Sequence, residues 1–185
     1  MASRPASGAP QARLTPRPRP DPYAHERGSP LLPQCGPSPL SLRFNGNTLH
    51  MNEGVRNYFF SAVSGRPNAN GRFDYSAARQ AQPGEGPIPA GRYWIDPAQM
   101  WERNHLNVFQ SIRVPEVSWG NYRVTIHVFP GTDTHGRGGF FIHGGSRPGS
   151  AGCIDLGVGM DNFVEILRSR LNATAGCYVG LMVTY

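Results

Sequence analysis

From residue 40 onward the chain is built of short runs in which every second residue is apolar, each stopped by glycine, proline or asparagine. Side chains alternate between the two faces of a strand, so a period of two commits this region to β-structure with one face buried. LSLRF puts Leu40, Leu42 and Phe44 on one face, Asn45-Gly46-Asn47 supplies a turn, and TLHMN resumes with Leu49 and Met51. The pair reads as a hairpin. RNYFFSAVSG, residues 56–65, is a further strand ending at Gly65. The glycine-, asparagine- and proline-rich connection that follows, to about Pro87, is long enough to be a surface loop with a functional role.

A strand centred on Tyr93 to Ile95 leads into Asp96-Pro97-Ala98-Gln99, which has the form of a helix start and predicts a short helix through Trp101. In SWGNYRVTIHVF, residues 118–129, Tyr122, Val124, Ile126 and Val128 share one face and Arg123, Thr125 and His127 the other. The turn GTDTHGRGG returns the chain into FFIH. Helical spacing enters late: Met160, Phe163, Val164, Leu167 and Leu171 recur at it, with Asp161 as N-cap and Arg168 and Arg170 at the C-terminal end. YVGLMVTY is a last strand that would close the sheet. About seven or eight strands with one good helix make the fold mainly β, a sandwich or barrel with one or two short helices, rather than a βαβ arrangement.

Residues 1–39 are different. They hold ten of the 18 prolines and five arginines against two acids, with Leu31-Leu32 the only adjacent large apolar pair. Such a segment buries too little apolar surface to offset its ordering entropy. The expected organisation is a disordered Pro/Arg-rich arm over 1–39 and one domain over 40–185. The net charge is +6, every basic residue is arginine, and half of the excess lies in the arm. A mildly basic domain suits anionic partners, among them nucleic acid, anionic lipid headgroups and bacterial cell wall. Nucleic acid is disfavoured, because no arginine cluster interleaved with aromatics follows the arm. No apolar run approaches the roughly 20 residues needed to span a bilayer, so no integral membrane segment is expected. MASRPASGAPQARL lacks the apolar core of a signal peptide, so the chain is expected to be made without one.

Of Cys35, Cys153 and Cys177, at least one is free or pairs outside the chain. A disulfide-stapled scaffold is not expected; Cys177 reads as buried and inert, and Cys35 has no evident role. Cys153 closes a loop that begins at His143, in FFIHGGSRPGSAGCIDLG. A thiol becomes a nucleophile when a nearby imidazole takes its proton. Glycines at both ends of the loop let the chain fold back and let a carbonyl approach the backbone, so the amides of Gly152 and Cys153 could form an oxyanion hole.

Strand, His-Gly, a small-residue loop and Ser-x-Gly-Cys-Ile together resemble the YkuD-type L,D-transpeptidases, and are most similar to their compact branch among type VI secretion effectors. The matching residues are His143-Gly144 and Ser150-Ala151-Gly152-Cys153-Ile154, with upstream likeness at NYFFSAVSG and GPIPAGRYWI. Ala151 stands where the larger family has a second histidine, and Asp155 where it has Asn or Arg. The resemblance implies a YkuD-like β-fold and a Cys153 nucleophile with His143 as base. It also implies a third member supplied by the Gly144 carbonyl, with Asp133 and Asp155 as candidate supporting groups. It implies no cofactor and no metal. Substrates would be peptidoglycan tetrapeptide stems, from which a terminal D-Ala is removed or exchanged. Arg147, Arg137 and Ser150 are the candidate substrate-side residues. A cognate immunity protein and a secretion-system component are the implied partners, and the periplasm of a target cell the implied place of action.

Two other readings stand beside this one. His127, His135 and His143 fall eight apart with Asp133 nearby, which allows a metal site, although no compact Cys/His ligand pair is present. A non-catalytic β-sandwich could instead bind glycan or protein through Trp94, Trp101 and Trp119.

Overall fold

Leu40, Leu42 and Phe44 are all buried, as are Leu49 and Met51 across the Asn45-Gly46-Asn47 turn, so the period of two does set which face becomes the core. The computed structural model describes residues 24–103, 116–171 and 176–185. Its strands are β1 Pro37–Phe44, β2 Thr48–Glu53, β3 Arg56–Ser61, β4 Val63–Ser64, β5 Gly91–Ile95, β6 Trp101–Glu102, β7 Tyr122–Val128, β8 Phe141–His143, β9 Ile154–Asp155 and β10 Tyr178–Val183.

They join in the order β3-β2-β1-β10-β5-β7-β8-β9-β4, with β6 added on β7. The two ends of that order, β3 and β4, are separated in the chain by Ala62 alone, so the sheet curls into a nearly closed barrel. The protein is mainly β, as its patterning required. Inside lie Val124, Ile126 and Val128 of β7, Ile142 of β8, Ile154 of β9, and Val179, Leu181 and Val183 of β10. The helix Met160–Leu171 turns Met160, Phe163, Val164 and Leu167 into this core, and the ring of Phe163 meets Phe60 edge-on at 5.3 Å.

Several local expectations are corrected. β10 does not close an edge; it runs between β1, to which it is parallel, and β5, to which it is antiparallel. The 56–65 run breaks at Ala62 and serves both ends of the sheet. The turn capped by Asp96 is a 3-10 turn that stops at Gln99, and Trp101 starts β6 instead of ending a helix. Asp161 is not the cap of the long helix. It lies in the first turn and accepts a hydrogen bond from Asn121 Nδ2 at 3.0 Å, behind a 3-10 turn at Gly157–Gly159.

The largest correction concerns the arm. Residues 1–23 lie outside the described residues, but 24–39 are part of the domain. Ala24–Arg27 form a 3-10 turn, the Leu31 amide donates to the Val128 carbonyl at 2.8 Å, and Trp94 Nε1 donates to the Leu31 carbonyl at 2.8 Å. Gly28, at φ +63°, packs so tightly on the Arg137 carbonyl that a Cβ would collide with it. Cys35 is joined to Cys177 by a disulfide, with Cα atoms 5.9 Å apart, so neither cysteine is idle and Cys177 is only half-buried. Composition weighs apolar burial alone; here backbone pairing, a tryptophan donor and a covalent link do the ordering.

Candidate active site

The register across the barrel wall places chemically active residues side by side. Trp101 of β6 pairs with Arg123 of β7, Arg123 with His143 of β8, His143 with Asp155 of β9, and Asp155 with Val63 of β4. Their neighbours Val124, Ile142 and Ile154 point into the core, so this row lies on the opposite face of the sheet. His143 and Asp155 are nonetheless buried, at 1% and 2% exposure.

His143 is held by its own backbone. Its Nδ1 lies 2.6 Å from the Gly144 carbonyl, and a carbonyl only accepts, so Nδ1 carries the proton and Nε2 the open lone pair. Nε2 has no hydrogen-bond partner. Asp155 Oδ1 lies 3.9 Å from Nδ1, beyond hydrogen-bond range but close enough to act by charge. The carboxylate is fixed by two backbone amides, Gly149 at 2.9 Å and Gly157 at 2.8 Å, so it also closes the loop on which the cysteine rides.

Burial pushes the His143 pKa below its ordinary value, against the Gly144 hydrogen bond and the Asp155 charge, which raise it. Burial pushes the Asp155 carboxyl upward, opposed by His143 and by the two amides. Burial is the largest influence on both groups, and on His143 it favours the neutral imidazole.

Cys153 precedes β9 with 5% of its surface exposed. Burial pushes its thiol up to about 11, opposed in part by the Phe141 amide, the Ser150 hydroxyl and the Arg123 charge. The sulfur lies 3.8 Å from the Gly139 carbonyl. Ser150 ties the loop: its amide donates to the Gly65 carbonyl at 3.0 Å and its hydroxyl to the Cys153 carbonyl at 3.1 Å. Gly152 has φ +106°, and a Cβ there would fall 2.8 Å from the Phe140 ring and 2.7 Å from the Arg137 guanidinium. Only glycine brings the chain to Cys153 along this path.

A cleft of about 820 Å³ opens over the pair, lined by His143, Cys153, Trp119, Ser150, Arg147 and Arg66 among others. His143, Gly144, Ser150, Gly152 and Cys153 are therefore brought together, with Arg147 exposed at the rim.

Arg137, expected on the substrate side, does not line the cleft. It is buried, and its guanidinium donates to the carbonyls of Gln80, Pro87 (2.6 Å) and Gly86 (2.7 Å), fixing the connection that precedes β5. Asp133 is equally remote in role, pairing with His135 at 3.3 Å on an exposed turn.

The metal and binding-module readings lose their constellations. His127 bonds Gln99 at 2.7 Å and stacks on Trp94, and among the described residues no group of three or more His, Cys, Asp or Glu could hold a metal. Trp94 is buried under Leu31, whereas Trp101 and Trp119 flank Arg123, so the three tryptophans form no common surface. Sequence reasoning missed Arg123, and weighed Trp119 only as a stacking platform. The tilted Trp119 ring stands 5.0 Å from His143. Alternation along β7 already assigned Arg123 to the non-core face; what the sequence lacked was the register that sets it opposite His143.

The family model described as the Tlde1 domain matches residues 60–180, which contain every residue of this site. No curated protein matches the chain.

Proposed function

This chain belongs to the Tlde1 domain family, whose members are type VI secretion effectors, and we propose that it is a cysteine-dependent L,D-carboxypeptidase or L,D-transpeptidase acting on peptidoglycan tetrapeptide stems. One observation carries the reading: a histidine whose Nδ1 proton is engaged by a backbone carbonyl, leaving Nε2 unpartnered, lines the same cleft as a thiol delivered on a loop of fixed geometry.

In the proposed reaction Nε2 of His143 takes the Cys153 proton as the sulfur attacks the carbonyl that joins the L-centre to the terminal D-Ala. The S–C bond forms, and the tetrahedral oxyanion is received by the amides of Gly152 and Cys153. The imidazolium returns the proton to the leaving nitrogen, the C–N bond breaks, and D-Ala departs, leaving a thioester. Water then releases a tripeptide, or the amine of another D-amino acid restores a tetrapeptide. Gly144 holds the tautomer throughout, and Asp155 steadies the cation that forms in between. Arg147 at the rim is suited to a stem carboxylate.

As an effector, the protein is delivered to target cells and is opposed by an immunity protein; we place its action in the periplasm, where the stems are. No helix among the described residues is long and apolar enough to cross a membrane.

Product analysis tests the reaction. Disaccharide tetrapeptide incubated with the protein should lose its terminal D-Ala, or exchange it when another D-amino acid is added, and Cys153→Ala should do neither. Identical muropeptide spectra from the parent and from Cys153→Ala would refute the proposal.

A further inference from the structure

Arg123 is left unused by the chemistry above, and its surroundings give it a definite character. The guanidinium carbon lies 5.0 Å from the Trp101 ring, 5.3 Å from Trp119 and 5.4 Å from Phe141. Aromatic rings occupy the faces of a guanidinium and leave its N–H donors, which radiate in the plane, uncommitted. Other half-buried or buried arginines here have acceptors: Arg103 donates to the Gly120 carbonyl, Arg137 to three carbonyls, and Arg79 to Glu85. Arg123 is half-buried and has no carboxylate or carbonyl acceptor among the described residues. Half-burying a cation without an anion costs free energy, which a carboxylate ligand would recover.

Its position fits one anion in particular. Arg123 faces His143 directly across β7 and β8 and rests on Phe141, whose amide acts on the Cys153 sulfur. β7 and β9 lie two strand spacings apart, roughly 10 Å. In a peptide ending in a D-residue, the terminal carboxylate carbon is three bonds beyond the scissile carbonyl carbon, about 3–4 Å away. A guanidinium reaching from β7 and a carboxylate reaching from a carbonyl seated at Cys153 meet between the strands.

Resting on the reading of Cys153 as the acyl-accepting nucleophile, we infer that Arg123, framed by Trp101, Trp119 and Phe141, is the anchor for the free terminal carboxylate of the peptide. The anchor makes the enzyme act only on the last bond of a stem. It also selects free amino acids as acceptors, because an incoming D-amino acid brings the same carboxylate to the same place.

The test measures binding separately from turnover. Calorimetry on Cys153→Ala compares a tetrapeptide ending in a free carboxylate with the same peptide ending in a carboxamide. The acid is expected to bind about 10- to 100-fold more tightly, the range of a hydrogen bond to a charged group. Adding Arg123→Gln should abolish that preference, whereas Arg123→Lys, which keeps the charge without the planar fork, should retain part of it. Equal binding of acid and amide by Cys153→Ala, no binding of either, or equal weakening of both in Arg123→Gln would overturn the anchor; the last outcome assigns Arg123 to packing. Turnover by the parent is read beside this. A parent that processes neither peptide while Cys153→Ala still prefers the acid would refute the acyl-transfer reading and keep the anchor. A parent that releases the amide residue as fast as the acid would overturn the anchor and keep the cysteine chemistry.

Discussion

His143 and Cys153 both rest neutral in the free protein, for the same reason: burial disfavours either charge. The thiol and the imidazole line one cleft, and in the proposed reaction the proton moves when substrate arrives. Alkylation of Cys153 by iodoacetamide should therefore be slow at pH 7 and climb as the pH approaches about 11. Fast alkylation that is flat from pH 6 upward would indicate a preformed thiolate and contradict this. In the proposed reaction the imidazole sets the acid limb. Its pKa in the folded chain is below the ordinary 6.5, so the base form persists below that pH, and kcat/KM should fall only as the pH drops through the lowered value. An acid limb centred above pH 7 would be inconsistent with a desolvated base. Asp155 raises the His143 pKa and accepts two loop amides. Asp155→Asn should move the acid limb to still lower pH and cost about 2 kcal/mol of stability, read as a lower denaturant midpoint at unchanged slope.

At the scale of elements, the active loop depends on pieces far from it in sequence. Arg137 holds the connection before β5 by bonds that span 50 residues or more, and that connection supplies Glu85 to the cleft opposite Arg66. Arg137→Ala removes the donor shared by three carbonyls, two of them in buried bonds, and should cost about 2–4 kcal/mol. The loss should appear as a lower melting temperature together with reduced activity; a stable, fully active variant would show that the connection needs no such tie.

This contrast explains how much was legible beforehand. His143-Gly144 and Gly152-Cys153 were readable because each pairing of imidazole with carbonyl, or glycine with thiol, is local. The β1–β2 hairpin was readable because Leu40, Leu42 and Phe44 alternate around an Asn-Gly turn. The carbonyl ties of Arg137 were not legible because an arginine in a turn looks the same whether its partners are solvent or carbonyls 50 residues away. Arg123 gave its face through alternation and withheld its neighbours, since register between β7 and β8 depends on a long intervening turn.

At the scale of the molecule, the Cys35–Cys177 disulfide encloses nearly the whole domain, with a sequence separation of 142. It lies at the start of the parallel β1–β10 pairing, where Pro37 meets Tyr178, and so joins the last strand to the segment that sequence composition assigned to a disordered arm. Neither cysteine advertised the other, because a link across 142 residues leaves no local pattern. Closing so long a loop should stabilise the folded chain by about 3–5 kcal/mol in the chain-entropy picture. Reduction, or Cys35→Ser, should lower the unfolding midpoint accordingly while leaving Cys153 in place. An unchanged midpoint would show that the pairing of β1 with β10 is sufficient without it. The stabilisation belongs to oxidising compartments, which agrees with the periplasmic action proposed above.

The most direct measurement of the central claim, that Cys153 is acylated by the stem with His143 as its base, is intact-protein mass spectrometry after rapid mixing with tetrapeptide. The expected result is an adduct with the mass of the peptide less its terminal D-Ala, mapped to Cys153, released by hydroxylamine, absent in Cys153→Ala and strongly slowed in His143→Ala. Release of D-Ala by Cys153→Ala at the parent's rate, or an adduct mapped to any other residue, would contradict it.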